Sequence, residues 1–451
     1  MLRWCAGDTL IGRVIRQTEL VSPRVCVIIK LVGRAKTKIT VSRGHGVTSI
    51  YRGRFNFFDP SNITLFDGPL HLAPQGSPGE WPFVIQIPKA ASPEVVLEGN
   101  AQEHSQLSLE AANIATYELP PAYYFQRTGF SSNFYGCVEY YLTAELGFEK
   151  NSKVYDSDVA TATMPIFLRQ PSTPVPVRAF NLKTRVFEGN IKTHLLLPGT
   201  AVADLSLRQK TQKLFGSSKV PRLGFDLHID CPTTIQLDNP MPISFKVMVV
   251  SDPSRTSREC DGPQTLTLTK LNIELHAETG VICPGTLDAH TRSDTQIFDF
   301  KMDRLFSIRE GQPMVVPYCR RTVDGKLTEA PLDVGELLQL RVDAKSANVI
   351  YMGKSLFCDF EDPIIPSFET YNIVRRYTLR WAVSVSAAGL STSAAGEQPV
   401  EVLPPSEAQM TTALACMDKE SIRKNYDDLL VAAGIGGVKA ALDIVEAIAG
   451  I

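Results

Sequence analysis

The chain has 451 residues, of which 44% are hydrophobic and 21% charged, and its formal net charge is -2. This composition belongs to a globular protein that buries a sizeable core, and the length suggests two to four domains. A charge so close to zero excludes a chain-wide pull towards nucleic acid, and no run of about 20 apolar residues is present to span a bilayer as a helix.

The nine cysteines are odd in number and form no CxxC pair, unlike an even, clustered disulfide framework. We read them as reduced thiols of a cytosolic protein, most of them small buried apolar residues. The start, MLRWCAGDTL, lacks the long apolar core of a signal peptide.

In chain order, the first notable stretch is Leu20 to Phe58. It holds no Asp or Glu, yet carries Arg24, Lys30, Arg34, Lys36, Lys38, Arg43, Arg52 and Arg54. Such a local field attracts an acidic partner, either an acidic or phosphorylated peptide tail or an anionic membrane surface. The bland alternative is a solvated strand face neutralised by acids from elsewhere in the fold. Aromatic and basic residues do not alternate as in a nucleic-acid-binding module, so no nucleic-acid partner is expected.

A short helix is expected in EAANIATYE, near 110–118. LPPAYYFQRTGF (119–130) then spells a Pro-Pro-x-Tyr peptide at Pro120, Pro121 and Tyr123. In an exposed polyproline segment that pattern docks WW domains. Here Leu119, Tyr124 and Phe125 surround it with apolar side chains, which favours a packed strand start. In GCVEYYLTAEL, Val138, Tyr140, Leu142, Ala144 and Leu146 share one face, while Glu139, Tyr141, Thr143 and Glu145 share the other.

RQPSTPVPVRAF (169–180) has three prolines in a short span and reads as a stiff linker. A second helix is expected in LSLRQKTQKLFG, near 205–216. PISFKVMVV and TYNIVRRYTLRWAVSV again alternate with period two. In TLTLTKLNIELHA, Leu266 and Leu268 have one parity and Leu271, Ile273 and Leu275 the other, so a β-bulge near Lys270 is expected. After LPPSE (403–407), residues 420–450 are helical in composition. Val438, Leu442, Val445 and Ile448 fall on one helical stripe, expected to pack on the chain's own domain.

Catalytic and nucleotide signatures (GxGxxG after a strand, GxxxxGK[ST], HExxH, GxSxG) are absent, and the seven histidines make no i, i+4 pair or finger spacing. No enzymatic activity, metal or cofactor is expected.

CAGDTLIGRV (5–14), CVIIKLVGRAKT (26–37), the stretch from FNFFDPSNITLF to WPFVIQIP, and the pair ELPPAYYFQ and VEYYLTAEL resemble, in order and spacing, the arrestin family. SFETYNIVRRYTLRWAV and VEVLPP resemble its closing strands. The likeness covers about 1–405 and is nearest to the fungal-type α-arrestins, the arrestin-related trafficking adaptors.

It implies an all-β fold of two tandem antiparallel immunoglobulin-like β-sandwiches, followed by a short C-terminal helical tail. The expected division is an N-terminal sandwich over 1–170, a Pro-rich linker and junction over 171–212, a C-terminal sandwich over 213–405 and a helical tail over 406–451. The strand that precedes the Gly-Asp turn in the family has no counterpart after Met1, which predicts an unpaired sheet edge.

The resemblance also implies a non-catalytic cytoplasmic adaptor, recruited to plasma membrane or endosomes. It would recognise cytoplasmic tails of membrane transporters or receptors and link them, directly or indirectly, to a HECT-type ubiquitin ligase. A signalling scaffold or sorting-coat component without ligase contact is the rival reading. The acidic partner would meet Arg34, Lys36, Lys38, Arg43, Arg52 and Arg54; the usual tail PPxY peptide has no equivalent after residue 405.

Overall fold

A computed structural model of the chain describes residues 4–42, 47–60, 62–129, 132–148, 160–197, 199–200, 219–260, 264–286, 288–302, 304, 313–320, 327–351, 354–410 and 443–446. It is built almost wholly of strands, with a few short helical turns, as the period of two predicts. The helix expected near 205–216 lies outside the described residues. That expected near 110–118 is one turn, Ala111–Ile114.

The N-terminal half opens with a turn at Cys5–Asp8. The Asp8 carboxylate accepts from the Cys5 amide at 2.7 Å, and Gly7 takes φ +92°, a left-handed turn position suited to glycine. Strands β1 (Thr9–Arg16), β2 (Leu20–Ser42), β3 (Thr48–Asn56), β4 (Ile63–Leu72), β5 (Gly79–Gln86), β6 (Tyr123–Thr128), β7 (Ser132–Phe148) and β8 (Ala160–Ile166) follow. One sheet runs β3–β2–β7–β6, with β4 also on β2 and β8 on β7; the second pairs β1 with β5. Both sheets contribute to one core, with Leu10, Val14 and Phe83 from one and Val27, Ile29 and Leu142 from the other.

The second half is built the same way. Strands β9 (Lys183–Lys192), β10 (Arg222–Cys231) and β11 (Lys246–Ser251) form one sheet; β12 (Leu266–Cys283), β13 (His290–Asp299), β14 (Ile373–Ala387) and β15 (Leu390–Leu403) form the other, in the order β15–β14–β12–β13. They enclose a core that includes Phe225, Phe245, Leu271, Leu379 and Trp381. Ala388 and Gly389, at φ 49° and 74°, turn β14 into β15 as a two-residue hairpin loop whose twist matches the strands. The expected bulge is present: the register of β12 against β14 shifts between Leu268 and Lys270. Leu266, Leu268, Leu271, Ile273 and Leu275 are consequently all buried.

Two expectations need correction. The C-terminal sandwich starts well before residue 213, because β9 pairs along its whole length with β10. Its sequence, KTRVFEGNIK, is mostly exposed, so it lacks the apolar alternation that marks a strand from sequence. The tail is not helical throughout: beyond a helical turn at 407–410, Asp443–Glu446 is a strand, β16. It lies antiparallel on β1, with Gly12 opposite Glu446 and Ile15 opposite Asp443. The β1 edge expected to be unpaired is therefore covered. An open row of backbone donors and acceptors outweighs the modest helix propensity of four residues, two of them β-branched.

The Pro-rich linker is clamped. Arg169 donates two bonds to the Glu407 carboxylate (2.6 and 2.8 Å), Ser172 donates to the Pro405 carbonyl (2.6 Å), and the Glu407 amide donates to Thr173. The sandwiches also meet directly. Thr37 on β2 is 2% exposed; its hydroxyl donates to the Ile282 carbonyl (2.6 Å) and accepts from the Asn372 side-chain Nδ2 (3.2 Å). At Gly53 an added Cβ would lie 2.6 Å from the Thr37 hydroxyl and 3.1 Å from the Ile282 carbonyl, so close approach of the sandwiches requires glycine there.

Deleting residues 443–451 removes the partner of β1 on one side only. Hydrogen exchange of the β1 amides facing that side should rise by about tenfold or more while β5 stays protected. Unchanged exchange over Gly12–Ile15 would show that the strand does not hold this edge.

Candidate functional site: a cationic sheet face

The cationic stretch owes its geometry to alternation. Over Ile29–Ile39, side chains of odd number face the core and those of even number face out. β3 pairs antiparallel with β2, bringing Arg54 opposite Lys36 and Arg52 opposite Lys38. Arg34, Lys36, Lys38, Arg52 and Arg54 thus share the outer face of one sheet. Arg43 lies outside the described residues. Arg24 stands apart, paired at 3.3 Å with Asp67 of β4.

The face is partly neutralised from β7, whose polar parity brings Glu139 and Glu145 onto it. Glu139 binds Arg34 (2.5 Å) and Lys36 (2.8 Å), and Glu145 pairs with Lys30. Burial works to raise the Glu139 carboxyl, but the bonds and charges of Lys36 and Arg34 outweigh it and hold the group below the usual carboxylate range. The neighbouring Cys137 thiol is pushed up to about 12 by burial and then by the Glu139 charge, so it stays a thiol rather than a reactive thiolate. Arg34 also lies over the Tyr141 ring at 5.3 Å.

Among the described residues no carboxylate pairs with Lys38, Arg52 or Arg54. The face therefore has a quenched part along β7 and an open part along β3. The charge run alone marked the face; the division needed Glu139 and Glu145 placed by register, which the alternation of GCVEYYLTAEL already carried.

The Pro-Pro-x-Tyr peptide lies at the start of strand β6 and is packed there. Pro120 is buried and its carbonyl accepts from the Tyr140 hydroxyl (2.8 Å). Tyr123 is 6% exposed, meets Phe368 of the other sandwich edge-on at 4.7 Å between centroids, and has its hydroxyl 3.4 Å from that of Thr279. Burial raises its phenol, against the opposing charge of Arg375. A WW domain needs both prolines and the tyrosine accessible along a polyproline helix, and here Pro120 and Tyr123 are buried and Pro121 is half-buried.

Arg375 is a buried group the sequence did not flag. It is 3% exposed and donates to the Tyr377 hydroxyl (2.8 Å), the Thr279 hydroxyl (2.7 Å) and the Gln296 side chain (3.0 Å). Its hydrogen-bond partners are all neutral. The signal that finds it is the doublet Arg375–Arg376, which puts one arginine on the buried parity of an otherwise apolar strand.

Among the described residues no group of three or more His, Cys, Asp or Glu is placed to hold a metal ion, and no helix is long and apolar enough to cross a membrane. The eight cysteines described carry free thiols.

Tyr123→Ala should cost about 3–4 kcal/mol of stability, the usual loss for truncating a buried aromatic. The wild-type chain should give no titration signal with tandem WW domains. Saturable binding that Tyr123→Ala removes at an unchanged melting temperature would restore the docking reading. Compared with known proteins, the chain matches no family model and no curated protein.

Proposed function

We propose that the chain is a non-catalytic, arrestin-like adaptor whose N-terminal sandwich holds acidic segments in the cytoplasmic tails of membrane proteins. The observation that carries this reading is the outer face of β2 and β3. Of the cations Arg34, Lys36, Lys38, Arg52 and Arg54 on this face, Arg34 and Lys36 share Glu139, and among the described residues no carboxylate pairs with the other three; Glu145 on the same face pairs with Lys30. Opposite charge on a tail would steer its approach and fix its register more than it would add raw affinity.

The order of motifs that resembles the arrestins supports the adaptor class. So does the doubled sandwich, with cargo held by one surface and machinery by another. The packed Pro-Pro-x-Tyr segment favours the form of the reading in which any HECT-type ligase is reached through a partner, or in which the chain is a sorting scaffold with no ligase contact.

Lys36→Glu/Lys38→Glu should weaken binding of the full chain to a Glu/Asp-rich tail peptide by about tenfold or more, with affinity falling as salt rises. Glu139→Gln should act oppositely, freeing Arg34 and Lys36 and tightening binding a few-fold. Both are read by fluorescence anisotropy on variants whose melting temperatures are known. Affinity unchanged in the double variant would overturn the reading.

A further inference from the structure

We propose that the outer edge of β3 takes an extended acidic peptide as an added β-strand, with the peptide's carboxylates at every second position. The proposal rests on the cationic-face reading above and specifies how that face is used.

Two observations carry it. The first is topological. In the order β3–β2–β7–β6, β3 is terminal, and among the described residues no strand pairs with its outer side. It is nine residues long, enough for several backbone bonds to an incoming strand. The β1 edge of the opposite sheet, by contrast, is already taken by β16. An open edge offers unpaired backbone donors and acceptors that only another backbone can match residue for residue.

The second observation is electrostatic. Arg52 and Arg54 point to the same face two residues apart, and each stands directly opposite a lysine of β2, Lys38 and Lys36. Like charges directly opposite one another on a sheet repel. Glu139 relieves Lys36, whereas the Lys38–Arg52 row has no carboxylate among the described residues.

A strand laid beside β3 stands about 5 Å away, and its alternate side chains recur about 6.8 Å apart on one face. Acidic groups at alternate positions then fall beside Arg52 and Arg54 in turn. The same charges select the occupant. They repel a second copy of this edge and any basic strand, which is how a cationic edge avoids self-pairing, and they accept an acidic one. A lipid headgroup satisfies the charges but leaves the backbone edge unpaired, so the edge favours peptide over membrane.

The test uses the full chain and two fluorescein-labelled peptides of about eight residues, the usual upper range of a strand. One alternates Glu and Thr; the other has the same composition in two blocks. The alternating peptide should bind about tenfold tighter, consistent with matched charge pairs on a defined register. N-methylation of its alternate amides should remove the preference, and so should Arg52→Glu/Arg54→Glu. The peptide comparison needs no variant, so a misfolded double variant leaves the test intact.

Equal affinity for both peptides, or binding indifferent to N-methylation, overturns strand addition while leaving an acid-binding face. No binding of either peptide overturns both readings. Tight binding to phosphatidylserine vesicles that depends on Arg52 and Arg54, without peptide binding, assigns the face to membrane instead and overturns the proposal.

Discussion

β2 keeps one side against the core and the other towards solvent for most of its 23 residues, and both the domain junction and the cationic face depend on that alternation. Ile29, Ala35 and Ile39 are fully buried, and Thr37 on the same parity reaches across to the second sandwich. The outward positions between Ile29 and Ile39 hold Lys30, Val32, Arg34, Lys36 and Lys38. A slip of one residue would turn these cations into the core and expose the apolar set. Burying even one unpaired ammonium costs far more than a strand's backbone bonds return, so the cationic face is also what pins the register. The same choice of residues therefore serves packing and charge presentation, and neither can be altered alone.

The junction is held by polar groups under cover. Thr37 uses its hydroxyl as donor to one residue of the second sandwich and acceptor from another. Arg375 spends its bonds on hydroxyl and amide oxygens. A net hydrogen bond adds only about 1 kcal/mol, but leaving a buried partner unsatisfied costs roughly 1–3 kcal/mol, and more beside a charge. The junction is thus far more sensitive to loss of one partner than its bond energies suggest. Phe368, Tyr371 and Ile373 of the second half belong to the same buried cluster as Leu10 and Val27 of the first, so the two sandwiches share apolar surface as well.

Much of this was legible in the sequence where the signal is local. Period-two alternation located β7, β12 and β14, the parity change around Lys270 located the bulge, and the apolar neighbours of Tyr123 pointed to a packed strand. What was not legible depends on partners far along the chain. β9 looks like loop because its neighbours, and not its own side chains, make it a strand. β16 holds Val445 of the expected helical stripe, whose other members lie outside the described residues, and it is a strand through its pairing with β1, more than 400 residues away in sequence. Thr37 finds its carbonyl 245 residues later. For the site, the charge run gave the residues, while the quenching by Glu139 required strand pairing between β2 and β7.

That quenching decides what the face can discriminate. Exposed ion pairs contribute little each, about 0–1 kcal/mol, and are screened by salt. A face of five cations without structure would bind any polyanion weakly. With Arg34 and Lys36 held by Glu139, the charge that has no carboxylate partner among the described residues narrows to the β3 side, where Lys38, Arg52 and Arg54 stand at fixed strand spacing beside an edge on which no described strand pairs. Charge then supplies the approach, and the backbone ladder supplies the spacing rule, because a strand and a disordered polyanion of equal charge differ only in whether every second residue meets a cation. Discrimination of this kind comes from geometry that many weak contacts must satisfy together.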